Sequence, residues 1–523
     1  MNATVGARVR VGLVCVVCGW HLASITAVDG GVREDLVTLR NRCLYYAAGT
    51  APNSPATTVL SHGLYMQSPW PSPANQIDLA ASGFALAALP AATAAGLIGT
   101  NAAFSIATNA SAAALGLFRK SAAASTQTER GRYGYQGMLY HYYVWSDADA
   151  EFRADPASEV SSADTVWLLY GMLASGRFFG GRALADFEAA RTNVGWRAWL
   201  DAGNDQFYME YWTNTGLRGH WNWRSDETTA IILMAASGDT NLNPRTLWSA
   251  WTRQPVAYTS PPPSAVFACY ASWNGDPFTD FYGLHFWDTR RMPPDFAGVD
   301  WFANNRQSYL GHVEYFAKER GFLDAMSFAF VAGAVNPIAH PKSNSDPPYV
   351  TDEGAIYSLA GGLPFYDADP ASNLVAKTLS ALVAGGSGFF EWHGWPAETV
   401  VATQSAHAKR NVNIVGQDIC SIALSIENYL NHRIQDLVVR DEPLRRAMNA
   451  VFPPRAAGIS GLASNAAAID WDLVPLTTGT VYTVEDLRGV WHSTSAVAAD
   501  TEGHARSQVP AAEAHRFFRL ETP

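Results

Sequence analysis

Two stretches decide the fold: AASGFALAAL at residues 80–89 and TVWLLYGML at residues 165–173. Both have the length and spacing of a helix, and both are apolar on nearly every side. A helix at the surface of a globular protein carries apolar residues on one face only, so a helix that is apolar all round has to be enclosed. The two stretches therefore predict an inner layer of helices surrounded by an outer layer.

Helical spacing of apolar residues continues from Gln76 to about Val451, with loops rich in Gly, Pro, Asp and aromatic residues between the helices. The predicted helices cover residues 77–89, 102–122, 162–179, 183–200, 227–236, 301–320, 371–383, 418–437 and 442–452, with weaker patterns at 35–46, 245–253 and 278–291. About a dozen helices in two layers predict an all-α fold, an (α/α)6 double-layered helical barrel over residues 28–452.

The two ends of the chain differ from this body. Arg8 and Arg10 precede an apolar run over residues 11–20, which is typical of a secretory signal peptide, so residues 1–27 predict a secreted or periplasmic protein. The run is too short for a membrane span. Residues 453–460 are predicted as a linker, and Thr/Val/Tyr alternation over residues 461–523 predicts a small C-terminal β module.

Composition limits the partners. The chain has 36 basic and 47 acidic side chains and no basic cluster, which excludes a phosphate-tracking surface and hence nucleic acid as a partner. Its 18 Trp residues favour aromatic platforms for a polysaccharide or oligosaccharide substrate. Because no metal-ligand spacing, P-loop or dinucleotide motif is present, we expect no metal and no cofactor, and we expect a monomer.

Carboxylates beside aromatic residues are the candidates for chemistry. Hydrolysis of a glycosidic bond needs two carboxyl groups, one to protonate the leaving oxygen and one to activate water. Asp226 and Glu227 open an apolar helix, where acidic residues are also favoured by the helix dipole alone. Asp418 lies on the buried side of a long helix, where a cap or an ion pair is the structural alternative. These patterns leave the choice of the pair open.

Seven stretches, in order, resemble the bacterial glucoamylase-like domain, a group of (α/α)6 barrels related to endo-β-1,2-glucanases of glycoside hydrolase families 144 and 162 and to the processing domain of cyclic β-1,2-glucan synthases. The stretches are DLAASGFALAAL (78–89), SEVSSADTVWLLYGML (158–173), DETTAIILMAASGDT (226–240), HFWDTRR (285–291), DWFANNRQSYLGHVEYF (300–316), DEGAIYSLAGGLPF (352–365) and GQDICSIALSIENY (416–429).

The resemblance implies a secreted, inverting glycoside hydrolase acting on β-glucan, with β-1,2-glucan as the expected substrate. Glu227 matches the general acid of the family, and Asp418 matches the general base, which reaches its water through a substrate hydroxyl. Glu159 corresponds to an acidic subsite residue, and Asp155 falls near it. The residue before Glu227 is Asp226, where the family has Asn, and this difference puts the linkage specificity in question.

Further residues complete the predicted substrate site. His285 and Arg290 are candidates for sugar contacts; the pattern favours a core histidine at His285, whereas Arg290 is the better candidate and has a helix-end salt bridge as its alternative. The other predicted substrate-binding residues are Asp226, Glu353, Trp221, Trp223 and Trp392. Two alternatives stay open for the activity: a non-catalytic glycan-binding barrel, and a transglycosylase or lyase on the same scaffold.

Overall fold

The computed structural model describes residues 31–54, 59–68, 76–262, 264–272, 277–319, 353–384, 395–396, 399–401 and 415–453, together with six strands between residues 455 and 521. The predicted signal peptide lies outside the described residues. None of the described helices combines the length and the apolar character that crossing a membrane requires.

Helices dominate the described part of the chain. In chain order they are α1 (Gly31–Ala47), α2 (Leu79–Ala94), α3 (Thr100–Ala123), α4 (Gln127–Tyr133), α5 (Ser162–Phe179), α6 (Gly181–Asn193), α7 (Asp226–Gly238), α8 (Pro244–Ser249), α9 (Phe278–Phe281), α10 (Trp301–Glu319), α11 (Ile356–Gly361), α12 (Leu374–Ala384), α13 (Gly416–Asn431), α14 (Arg433–Val438) and α15 (Glu442–Val451).

Six of the described helices form a closed inner ring. Helix α2 packs against α5, α5 against α7, α7 against α9, α9 against α11, α11 against α13, and α13 returns to α2. Helices α1, α3, α6, α8, α10 and α12 pack on the outside of this ring. Among these twelve helices the order along the chain alternates between the layers, and α4, α14 and α15 are additional to the two layers.

The two stretches that are apolar all round lie in the inner ring, as predicted. Helix α2 is buried from Leu79 to Ala92, and α5 is buried on nearly all of its surface. The two backbones cross in contact at Gly83 and Gly171: a Cβ atom on Gly171 would lie 1.9 Å from the Gly83 carbonyl oxygen. Only glycine allows so close a crossing.

Short antiparallel strands fill the connections where the sequence predicted loops. They are β1 (Leu60–Ser61), β2 (Leu64–Tyr65), β3 (Gln76–Asp78), β4 (Leu139–Tyr140), β5 (Tyr142–Ser146), β6 (Glu151–Ala154), β7 (Val160–Ser161), β8 (Leu200–Asp201), β9 (Gln206–Trp212), β10 (Gly216–His220), β11 (Pro255–Thr259), β12 (Val266–Tyr270), β13 (Glu353–Ala355) and β14 (Thr399–Val401). One sheet has the order β10-β9-β7-β4, with β8 also paired to β9, and another has the order β3-β5-β6.

Six further strands follow the helices. They are β15 (Arg455–Ala463), β16 (Ala466–Asp472), β17 (Thr478–Val484), β18 (His492–Ala498), β19 (His504–Pro510) and β20 (Phe517–Glu521). They pair in two three-stranded sheets, in the orders β15-β16-β19 and β18-β17-β20. Strand β15 begins at Arg455, so it occupies most of the segment that the sequence predicted as a linker.

Two predicted helices are divided in the structure. The predicted helix 418–437 breaks at His432, whose left-handed backbone (φ 54°) ends α13 before α14 begins. The predicted helix 278–291 is only the four-residue α9, followed by 3₁₀ turns at Gly283–His285 and Thr289–Arg291. In the second segment the apolar spacing resembles that of a helix, but Phe286 and Trp287 lie in irregular backbone and are buried there.

Candidate active site

Five inner helices carry an acidic residue at or within their first turn, and the one on α9, Asp280, pairs with Arg224. Asp78 caps α2 by accepting a hydrogen bond from the Ala81 amide at 2.9 Å, whereas Asp164, Glu227 and Asp418 lie in the first turns of α5, α7 and α13. The N-terminus of a helix has a partial positive charge, which stabilises a carboxylate there. The helix starts therefore gather negative charge at one end of the ring.

An open cavity of about 460 Å³ lies at this end. Helix starts, strands β7 and β9, and aromatic side chains form its walls. Its lining residues are His141, Glu159, Ser161, Ala163, Asp164, Trp167, Met209, Glu210, Trp221, Glu227, Phe278, Tyr282, Tyr357, Gln417 and Asp418. The cavity thus combines several carboxylates with an apolar and aromatic surface, which suits a ligand with many hydroxyl groups and apolar C–H faces.

Glu227 and Asp418 contribute to this cavity from α7 and α13 respectively. Tyr282 lines it as well, and its hydroxyl accepts a hydrogen bond from Gln417 Nε2 at 3.4 Å. Burial raises the pKa of Tyr282 well above its usual value, and electrostatic interactions with Tyr357, Asp418 and Glu227 raise it further. The Tyr282 hydroxyl therefore stays protonated beside the two carboxylates.

A second group of ionisable side chains, the cleft cluster, consists of Asp78, His141, Glu159 and Asp164. His141 Nδ1 lies 3.2 Å from Glu159 Oε1 and 3.7 Å from Asp164 Oδ2. Burial alone would lower the pKa of His141, but the charge of Asp164 and the hydrogen bond to Glu159 raise it to about 10. Burial raises the pKa of Asp78 to about 6.

Among the described residues, the cleft cluster also holds the one set whose ligand atoms are close enough for a metal ion. Single ligand atoms of Asp78, His141 and Asp164 lie within 4.8 Å of one another. A metal needs a neutral imidazole nitrogen as its ligand. Here Nδ1 faces two carboxylates and is held as a proton donor, so the arrangement fits a hydrogen-bonded ion pair better than a metal centre.

The interior cluster consists of Arg224, Asp226, Asp280 and Asn305, behind the start of α7. Arg224 donates to Asp280 and, at 3.0 Å, to Asn305 Oδ1. Asp226 accepts a hydrogen bond from the Gly283 amide at 2.8 Å and a longer one from Asn305 Nδ2 at 3.4 Å. Burial raises the pKa of Asp226 to about 7, against the opposing effects of the Gly283 hydrogen bond and the Arg224 charge.

The sequence matches no family model and no curated protein. Solved structures do match its fold. A proposed glucoamylase from Bacteroides uniformis is 14% identical, with a TM-score of 0.57, over 82% of this chain and 98% of that chain. An endo-β-1,2-glucanase from Chitinophaga pinensis, solved with sophorotriose and glucose, is 14% identical, with a TM-score of 0.57, over 80% and 97%. A β-1,2-glucanase from Parabacteroides distasonis is 13% identical, with a TM-score of 0.58, over 82% of this chain and 60% of that chain.

The chain folds as a glucoamylase-like helical barrel. This outcome confirms the fold that the seven stretches implied. At these identities the likeness concerns the path of the backbone, and the positions of the site residues follow from the contacts of each side chain.

Four predicted site residues line the cavity of the barrel, namely Glu227, Asp418, Glu159 and Trp221. The indole N–H of Trp221 donates to Ser162 Oγ at 2.8 Å, which fixes the ring at the start of α5. Trp223 is half-buried and is not part of the lining. Trp392 and the side chain of Glu353 lie outside the described residues.

The structure places four other predicted substrate contacts outside the lining of this cavity. Asp226 belongs to the interior cluster and points away from the cavity that its neighbour Glu227 lines. Asp155 accepts a hydrogen bond from Gln76 at 2.8 Å and closes its own turn by accepting from the Ala157 amide. These interactions hold β3 near β6, and Asp155 is not part of the cavity lining.

His285 and Arg290 also have structural partners in the barrel. His285 is 1% exposed, its Nε2 lies 2.9 Å from Ser421 Oγ, and burial lowers its pKa to about 3. Arg290 forms a bidentate pair with Asp288. Both residues thus have a structural partner of the kind that the sequence offered as the alternative, and neither is part of the cavity lining.

The sequence analysis did not single out His141, Glu210, Tyr282, Tyr357 or Gln417, all of which line the cavity. His141 and Glu210 do lie within the aromatic loop stretches GRYGYQGMLYHYYVW and DAGNDQFYMEYW. A polar residue inside a strand-like aromatic run is the signal that would have found them. Tyr282 and Tyr357 lie in apolar surroundings that look like ordinary core sequence.

Proposed function

We propose that the protein is an inverting glycoside hydrolase that cleaves β-glucan, with β-1,2-glucan as its substrate. The observation that carries the proposal is that Glu227 and Asp418, chosen from the sequence as acid and base, line one cavity from separate inner helices. The Chitinophaga pinensis and Parabacteroides distasonis proteins, which share the fold, are named as β-1,2-glucanases. Their names support the choice of substrate.

In this mechanism Glu227 gives its proton to the glycosidic oxygen as the bond from that oxygen to C1 breaks. A water molecule attacks C1 from the opposite face of the sugar, and its proton passes to Asp418 through a substrate hydroxyl. The anomeric configuration is inverted, because one displacement takes place at C1. Tyr282, protonated beside both carboxylates, can donate a hydrogen bond to the substrate or to either carboxylate.

Aromatic walls supply the rest of the binding surface. Trp167, Trp221, Phe278 and Tyr357 line the cavity, and aromatic rings pack well against the C–H faces of sugars. We also propose that the protein is secreted, because Arg8, Arg10 and the apolar run after them have the pattern of a signal peptide. A polysaccharide is a substrate that an exported enzyme meets outside the cytoplasm.

The test is product analysis with the purified protein on linear β-1,2-glucan, with β-1,3- and β-1,4-glucans in parallel and Glu227→Gln as the inactive control. We expect short β-1,2-oligosaccharides by chromatography and inverted anomers by polarimetry. Retained anomers would refute the roles given to Glu227 and Asp418. Intact glucans in every reaction would refute the hydrolase, and tight binding without turnover would then identify a glycan-binding barrel.

A further inference from the structure

His141 lies in the wall of the cavity and is held there by its backbone. It stands between β4 and β5, its carbonyl accepts a hydrogen bond from the Leu79 amide at 3.2 Å, and its own amide donates to the Glu159 carbonyl at 3.0 Å. Its ring stacks on Tyr142, with centroids 3.8 Å apart and planes 17° apart. The imidazole therefore has a fixed orientation against the start of α2 and the segment before β7.

The two ring nitrogens of His141 have different surroundings. Nδ1 faces Glu159 and Asp164, at 3.2 and 3.7 Å. Nε2 makes no hydrogen bond to any residue that the structure describes, and the side chain is 24% exposed and lines the cavity. Two carboxylates at Nδ1 favour the doubly protonated ring, and the pKa of His141 is raised to about 10, so Nε2 carries an N–H group for which the described residues provide no acceptor.

The charges around His141 restrict what can occupy this place. Its positive charge is already opposed by Glu159 and Asp164 at Nδ1, and Glu210 adds a further carboxylate to the cavity wall. A ligand that brings another carboxylate would therefore meet net negative charge. A hydroxyl or ether oxygen of an uncharged sugar meets a hydrogen-bond donor and several acceptors.

We propose that His141 donates a hydrogen bond from Nε2 to an oxygen atom of an uncharged sugar unit in the cavity, and that Glu159 and Asp164 hold the ring for this contact. The inference rests on the proposed function, because it names a subsite of the same cavity. His141 is then a specificity-determining residue that binds substrate without transferring a proton.

Two replacements separate the two nitrogens. The amide nitrogen of Asn comes near the place of Nδ1, and the amide nitrogen of Gln comes near the place of Nε2. His141→Asn keeps the donor to Glu159 and removes the donor to the sugar, whereas His141→Gln does the reverse. Both are placed in the Glu227→Gln protein to prevent turnover, and the dissociation constants of β-1,2-gluco-oligosaccharides are measured by calorimetry.

We expect His141→Asn to weaken binding by about 10- to 100-fold, the usual effect of losing a charged hydrogen bond. His141→Gln should stay within about fivefold of the parent, because a donor remains. Equal losses, or a larger loss in His141→Gln, would overturn the inference and leave His141 a purely structural partner of Glu159. Unchanged affinity in both variants would overturn it too. Circular dichroism of each variant checks the fold.

The parent protein distinguishes this inference from the proposed function. If Glu227→Gln binds no gluco-oligosaccharide of any linkage, the proposed function fails, and the subsite fails with it. If the parent binds and the two variants rank in the wrong order, only the role of His141 is refuted. An oligogalacturonate serves as the charged probe, and binding of that probe more tightly than the neutral sugar would refute the uncharged subsite.

Discussion

The interior cluster and the cleft cluster contain similar groups and differ in enclosure. Each has one cation among carboxylates, Arg224 in the first and His141 in the second. Arg224 is 2% exposed and donates to Asp280, Asn305 and the Tyr270 carbonyl, all of them protein groups. His141 is 24% exposed, and among the described residues the hydrogen-bond partners of its ring lie at Nδ1.

Ionic composition alone therefore does not identify a binding site. A group whose polar atoms are all satisfied by protein supports the scaffold, whereas a group that leaves a donor at a cavity wall can bind a ligand. Asp226 and Glu227 show the contrast within one helical turn. The first accepts from Gly283 inside the protein, and the second lines the cavity.

Replacing each of these two neighbours by its amide should give the largest difference in activity. Glu227→Gln should lower kcat on β-1,2-glucan by about 10²- to 10⁴-fold, because a general acid contributes that much to the rate. Asp226→Asn, the matched control, should stay within about tenfold of the wild type, since its side chain meets only protein groups. Steady-state kinetics with reducing-sugar detection measures kcat for both variants. Equal losses of kcat would contradict the assignment of Glu227 as the general acid.

A smaller effect is expected when the interior cluster loses its cation. Arg224→Met should lower the free energy of unfolding by about 3–5 kcal/mol, because Asp280 stays buried without its partner. The control is Arg197→Met, which removes a pair with Asp239 at 2.8 Å from an arginine that is 59% exposed. That change should cost less than about 1 kcal/mol. Urea unfolding measures both, and similar losses would contradict the importance of enclosure.

The pH dependence of stability gives the smallest effect. The pKa of Asp226 is about 7 in the folded protein, against about 3.9 in an unfolded chain, so between these values the folded state holds a proton that the unfolded state has lost. Stability therefore falls as pH rises through this window. Asp226→Asn removes this contribution. The difference in free energy of unfolding between the variant and the wild type should therefore grow in favour of the variant by about 2–3 kcal/mol as the pH rises from 5 to 7.

Urea unfolding of both proteins at several pH values measures this difference. Burial also raises the pKa of Asp78, to about 6, so some of the same dependence remains in the variant. A stability difference that stays constant with pH would show that Asp226 is ionised throughout the window.

Much of the scaffold could be predicted from sequence, because a helix that is apolar all round has few other places to lie. Residues 80–89 and 165–173 entered the inner ring for this reason. The break at His432 could not be predicted, since apolar spacing continues across it and only the backbone changes. The strands between the helices were missed because they are short and lie in segments rich in turn residues.

The site was only partly predictable. Glu227 and Asp418 were found by resemblance, and both line the cavity. His141 was missed because its partners Glu159 and Asp164 follow it by 18 and 23 residues, and nothing in a sequence reports that the ring faces them. The partner of His285 could not be predicted for the same reason, since Ser421 is distant in the chain.

The crossing of α2 and α5 at Gly83 and Gly171 bears on how this cavity could be redesigned. The two backbones meet with no room for a Cβ atom, so the distance between these helices is set by main-chain atoms. Substituting side chains cannot alter it. A variant selected for a bulkier or branched glycan would have to gain space by substitution of residues such as Met209, Phe278 or Tyr357. The wall that carries Asp164 would keep its position in such a variant.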